Sequence, residues 1–399
     1  MFMFEKAIVG SRRYWLWILC LVAVIAIGFA NYLHQLNYGL GITGMSRDVS
    51  WGLYIAQFTF MVGVAASAVM VVLPYYLHHT KAFARVTILG EFLAIASVIM
   101  CMLFIFVDMG QPSRVLNVIL YPTPHSMMFW DMMSLSGYLL LNSVISVVML
   151  RAEREETVPP RWIKPIIILS IPWAVSIHTV TAFLYCGLPG RPLWLTAILA
   201  PRFLASAFAA GPALLILLCM LIPRVTESKF PAEAIEKLSV IVTYAMSISV
   251  FFLLMEVFTS LYSGIPEHAE PLQYMFVGLD GKTGLVPWMW ASVLLAAVSL
   301  VLLLVPHYRR NRSLLAVACV AVFVSLWIDK GIGLIVAAFV PSPNGAVTGY
   351  APTLPEMSIV LGIWALGALI LTVLYKIALS VRQGRLFETE TPVLAGAAK

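Results

Sequence analysis

Two aspartates at the ends of long apolar runs are the residues best placed to do chemistry. Asp108 closes the run FIFVD, and MGQPSR follows it, bringing two helix-breaking residues and Arg114. Asp131 lies in MFWDMMSLSGY, about one turn inside the next apolar run. Gln57 is early in a second run, WGLYIAQFTF, and His178 is deep in IPWAVSIHTVTAF, roughly 20 Å from where its run begins. A titratable side chain in such a place is costly and by default marks function. Carboxyl and imidazole groups where water is scarce suit a reaction that moves protons together with electrons. Quinone is the matching reactant, being apolar, dissolved in the membrane and proton-coupled. On this reading Asp108 and Asp131 exchange protons with it, as the catalytic pair. Arg114, His178 and Gln57 orient it or tune the acids.

Each residue also has a plainer reading. Asp108 could mark a water interface, and His178 could be a packing residue. Arg114 could pair with Asp108 or Asp131 and only fix the hairpin between them. Glu256 could hold the loop that follows it, and Asp329–Lys330 reads as a structural ion pair or interfacial anchor. These groups share the outer half of the membrane; only Glu91 falls in the inner half.

Other chemistries lack their residues. The five cysteines, Cys20, Cys101, Cys186, Cys219 and Cys319, form no CxxC pair. An iron–sulfur cluster needs about four convergent thiolates, so these read as small hydrophobes. Of the seven histidines only His178 is deep, which gives poor support to a haem held by two histidines. Walker A and HExxH patterns do not occur. The expectation is no haem or iron–sulfur cluster in this chain, with any such centre carried by another subunit.

The elements that must position these groups are membrane-spanning helices. Of 399 residues, 61% are hydrophobic and 11% charged, against roughly 25% charged in a soluble domain. Apolar runs of roughly 18 residues or more recur from end to end, too long and continuous for a β-barrel. Ten spans are expected, at 15–33, 51–77, 86–107, 127–150, 165–187, 202–222, 238–262, 287–305, 313–335 and 357–380. An even number returns both termini to one face. Of the 25 Lys and Arg residues, 19 then fall on that face and 6 on the other. Positive charge marks the cytoplasmic side, so both termini are expected in the cytoplasm, with the chain in the inner membrane of a prokaryote. The net charge of +6 follows from the same rule and calls for no nucleic acid. The start SRRYWLW is similar to a twin-arginine signal, but the run after it is long enough to span and no small-residue cleavage site ends it. The connection at 263–286 is long and is expected to dock a partner on the outer face.

VDMGQPSR, MFWDMMSLSGY, SIHTVTAF and APRFLASAFAAGPA occur in that order, with GLGITGMSRDVSWGLYIAQFTFMVG before them. Together they resemble the NrfD/PsrC family, the polysulfide-reductase membrane subunits, over about residues 10–380. The likeness is to its ten-helix branch, and most to the membrane subunits of Dsr-type redox complexes. It implies an all-α fold, one integral membrane domain over 1–399, with four-helix bundles at 51–187 and 202–335 and flanking helices at 15–33 and 357–380. It also implies a menaquinone site near the outer face of the first bundle. A ferredoxin-like iron–sulfur subunit would dock on that face, often with a cytochrome c and other membrane subunits. Related subunits carry a histidine in the place of Asp108 and an aspartate in that of Asp131. The change at 108 keeps a titratable group but alters its charge, so a His–Asp relay does not carry over.

The expected role is a quinone-interacting membrane subunit of a respiratory oxidoreductase in sulfur-compound metabolism. A secondary transporter is the alternative. Transporters place polar groups near the midplane beside broken helices, whereas these groups lie off-centre and the strongest internal break, DKGIG at 329–333, comes late. A passive membrane anchor is the third reading, and it predicts that the polar layer is dispensable for electron transfer.

Overall fold

The structure, a computed structural model, describes residues 10–76, 81–226 and 230–389. Lys6, His78, His79, Lys229 and Lys399, counted above, lie outside them. Among the described residues ten helices are long and apolar enough to cross a membrane. They are α1 (Arg12–Tyr38), α2 (Leu53–Leu73), α3 (Val86–Asp108), α4 (Met127–Arg154), α5 (Ile163–Cys186), α6 (Leu199–Val225), α7 (Ala232–Tyr262), α8 (Val286–Leu304), α9 (Arg312–Ala337) and α10 (Leu354–Val381). All ten expected spans are present, and the chain is a multi-pass integral membrane protein. Helix is the required form here, because lipid offers the backbone no hydrogen-bond partners.

Polar residues cap the starts of α1 and α9. Ser11 Oγ accepts from the Tyr14 amide at 3.3 Å, ahead of α1. Asn311 Oδ1 accepts from the amides of Ser313 and Leu314 at 3.0 and 3.3 Å, ahead of α9. Each bond satisfies a donor that the helix itself leaves open.

α2 is the centre of the molecule. Every residue from Leu53 to Ala65 is buried, as expected for a helix that is apolar on all sides. It packs on α3 and α5 and also on α6 and α9. The pairings α2–α3, α3–α4 and α4–α5 make one set of four helices, and α6–α7, α6–α9 and α8–α9 make the other. α1 and α10 pack on each other and, through α10, on α3. Their backbones touch: a Cβ on Gly28 would lie 2.8 Å from the Gly362 Cα. Without a hydrophobic drive between helices in lipid, such small-residue contacts let dispersion hold the pair. Leu16, Leu19, Ile27 and Phe29 of α1 are exposed and apolar, a lipid-facing surface.

Two connections on the face opposite the termini carry structure of their own. The one after α3 holds a single turn at Pro112–Arg114 and a short helix at Asn117–Leu120. The one after α7 is not an open loop, for it contains the helix Pro266–Phe276 with Leu272, Tyr274 and Met275 buried. Trp290 of α8 donates to the Phe276 carbonyl at 2.9 Å and fixes its end.

Candidate functional site

Asp131 sits near the start of α4 and is 3% exposed. Thr181 of α5 lies opposite, with Oγ1 2.6 Å from Asp131 Oδ1 and 2.7 Å from the Ile177 carbonyl oxygen. A hydroxyl has one proton to donate but can also accept. With Asp131 ionised, Thr181 donates to the carboxylate. With Asp131 protonated, the carboxyl O–H donates to Thr181, whose own proton turns to Ile177. The Asp131–Thr181 contact therefore survives gain or loss of the carboxyl proton, while the bond to Ile177 forms when Asp131 is protonated.

His178 is one turn before Thr181 and is fully buried. Its Nδ1–H donates to the Ala174 carbonyl at 3.0 Å, which assigns the proton on that nitrogen. Its Nε2 is buried and has no hydrogen-bond partner.

Asp108 is the last residue of α3. Its Oδ1 is buried and has no hydrogen-bond partner. The preceding Val107 carbonyl accepts from Gln35 Nε2 of α1 at 2.6 Å, and Gln35 Oε1 accepts from the Tyr54 hydroxyl at 2.6 Å. Asp108 and Asp131 share no hydrogen bond. Tyr185, buried and hydrogen-bonded to Thr59, lies within electrostatic range of both carboxylates. An unpartnered buried carboxylate oxygen is costly.

Glu356 closes this layer from α10. It is fully buried. Its carboxylate accepts from the amides of Gly44 at 3.0 Å and Leu53 at 3.2 Å, and from the Tyr350 hydroxyl. Thr353 and Glu356 also bond each other's backbone amides at 3.4 Å, a capping box. One acid thus sits at the N-terminal ends of both α2 and α10, where helix dipoles favour negative charge. Burial, and then the Glu356 carboxylate, push the Tyr350 phenol above its ordinary range, so it remains a donor.

Two expected site residues are placed elsewhere. Gln57 Oε1 accepts from the indoles of Trp327 at 2.9 Å and Trp364 at 3.0 Å, so Gln57 faces α9 and α10 and bonds neither aspartate. Arg114 is exposed on its turn and forms no ion pair with Asp108 or Asp131. The helix break carries its side chain to the surface instead of back over the hairpin.

A second polar cluster lies between α6, α7 and α9. Arg202 is 6% exposed and donates to Glu256, and through Nη2 to both Asp329 oxygens at 2.8 and 2.9 Å. Asp329 therefore pairs with Arg202, not with its neighbour Lys330, and Glu256 holds Arg202 instead of the following loop. Arg202 and Lys330, counted by sequence to the outer face, are buried among helices. A π-helical turn over Trp327–Gly333 alters the side-chain register, and two adjacent charged residues turn inward. Lys330 donates to the Phe203 carbonyl at 3.4 Å and lies 4.3 Å from that ring's centroid. A Cβ on Gly63 would stand 3.1 Å from its Nζ, so glycine on α2 leaves room for the ammonium.

Sequence reasoning passed over Thr181, Tyr185, Gln35, Arg202 and Glu356. For Glu356 the signal was present as TLPE at 353–356, the spacing of a capping box. Arg202 offered no local signal, since its partners lie 54 and 127 positions away.

A family model described as Polysulphide reductase, NrfD, matches residues 41–340. A Halobacterium salinarum protein, provisionally named as a membrane subunit of dimethyl sulfoxide reductase, is 27% identical, over 90% of this chain and 89% of its own length. The Hdr-like menaquinol oxidoreductase integral membrane subunit of Archaeoglobus fulgidus is 26% identical, over 76% of this chain and 74% of its own. The menaquinone reductase integral membrane subunit of Nitratidesulfovibrio vulgaris is 21% identical, over 91% of each.

Proposed function

Because the chain belongs to the polysulphide reductase NrfD family, we propose that it is the quinone-interacting membrane subunit of a multi-subunit respiratory oxidoreductase. Electrons pass between the menaquinone pool and a partner iron–sulfur subunit. Two relatives named for menaquinol or menaquinone support this reading. The observation that carries it is the Asp131–Thr181 contact, which holds in either protonation state. Quinone, when bound, supplies electron transfer coupled to proton uptake and release. This chain's part is to hold and move the proton at the Asp131 carboxyl. Asp108 offers its open Oδ1 as a second polar point, and the hydrogen-bonded Tyr185 and Thr59 lie near both acids. His178 acts from behind Thr181 as an orienting residue.

The partner is a ferredoxin-like protein on the face opposite the termini, docked over the packed Pro266–Phe276 connection, with a cytochrome c in complexes that carry one. Sulfur compounds are the substrates that the motif resemblance favours. Affinity purification of the intact complex from its native membranes tests these points together. Menaquinone and an iron–sulfur protein should co-elute in stoichiometric amounts. Elution of the chain alone, free of quinone, would overturn the reading.

The termini lie in the cytoplasm on this proposal, as the charge asymmetry indicates. Reporter fusions in the 155–162 connection should then report cytoplasm, and those near 278–284 the outside. The reverse pattern would move the site to the cytoplasmic half.

A further inference from the structure

On the face of the termini, α6, α7 and α9 line an open cavity of about 590 Å³ that the quinone reading does not use. Leu217, Leu221, Phe230 and Ile235 line it, and Arg224 and Arg312 stand among its lining residues, at the end of α6 and the start of α9. From Leu217 to Arg224 the helix rises about 10 Å, so the cavity runs from a cationic rim into an apolar wall. Both arginines are exposed, and among the described residues neither meets a carboxylate. The ion pairs on this face, Lys237–Glu233 and Arg310–Glu236, use other residues.

We propose that this cavity is a binding site for an acidic phospholipid. Its division matches that of the ligand: a phosphodiester between two guanidinium groups, and acyl chain along the leucines and Phe230. Basic pockets between transmembrane helices recognise anionic headgroups in this way, with roughly a fivefold gain per cation near the surface. Arginine suits the role because its planar fork can take two phosphate oxygens at once. A free phosphate would use the rim alone and leave the apolar wall uncovered. The proposal is independent of the quinone site.

The test is native mass spectrometry of the purified full chain, titrated with phosphatidylglycerol or phosphatidylcholine. The native protein should retain phosphatidylglycerol selectively. The double variant Arg224→Gln/Arg312→Gln should lose that preference by roughly 20-fold. Arg151→Gln/Arg161→Gln, on the same face but away from the cavity, should keep it. Should the first double variant fail to accumulate, the single variants decide, each losing roughly fivefold. Unchanged selectivity without the two arginines would overturn the site. So would an equal loss in the distant pair, which would indicate diffuse surface charge, or displacement of the lipid by millimolar inorganic phosphate.

Discussion

Asp131→Asn is expected to slow quinol-linked electron transfer by about 10²-fold or more while the complex still assembles. Asparagine keeps the size of aspartate and can still accept from Thr181 through its amide oxygen. What it loses is the ability to gain and release a proton. If Asp131 passes the proton, that loss falls on the rate and not on the fold. Asp108→Asn should be slowed less, because Asp108 ends its helix and is only half-buried. Thr181→Val separates positioning from proton transfer: it keeps the shape of the side chain and removes the hydroxyl that follows the carboxyl in both states. Its effect should be smaller than that of Asp131→Asn and should change the pH profile of turnover. The assay is oxidation or reduction of a menaquinol analogue by purified complex, with the amount of each subunit measured in the same sample. Native turnover in both aspartate variants would make the acids structural and favour a passive anchor.

The helices were legible because length and apolarity are local properties, and lipid leaves the backbone few alternatives. The same locality explains what could not be read. Asp131 and His178 stood out as polar groups inside apolar runs, and both are buried. Their immediate partner, Thr181, did not stand out, because a threonine in a membrane helix commonly bonds its own backbone, as it also does here with Ile177. Arg114 looked like a partner for the acids because it is near them in sequence, yet the break at Gly110 and Pro112 directs it outward. Gln57 lies in the expected helix, but which way it faces depends on Trp327 and Trp364, some 270 and 307 positions later. Glu256, Arg202 and Asp329 each resembled an interfacial residue when taken alone. Only folding shows that they form one cluster.

That cluster carries the second large effect. Arg202→Met should destabilise the protein by about 3–5 kcal/mol, the cost typical of removing one partner from a buried ion pair. Arg202 joins α7 to α9 through charge, donating to Glu256 on one side and to Asp329 on the other. With methionine in its place, two buried carboxylates lose their donor. The nearest remaining cation is Lys330, whose ammonium points to the Phe203 carbonyl and ring instead. By formal charge, two cations and two carboxylates balance in the native cluster; the variant leaves a formal excess of negative charge among apolar helices. This reasoning also predicts a rescue. Arg202→Met/Glu256→Gln restores the balance, leaving only Asp329 and Lys330 charged, so it should recover more than half of the loss despite removing a second native contact. Unfolding in mixed micelles, followed by tryptophan fluorescence, gives both free energies. If the single variant unfolds like the native protein, or if the double variant is worse than the single, charge balance is not what the cluster contributes. The side chains would then act only by filling space between α6, α7 and α9.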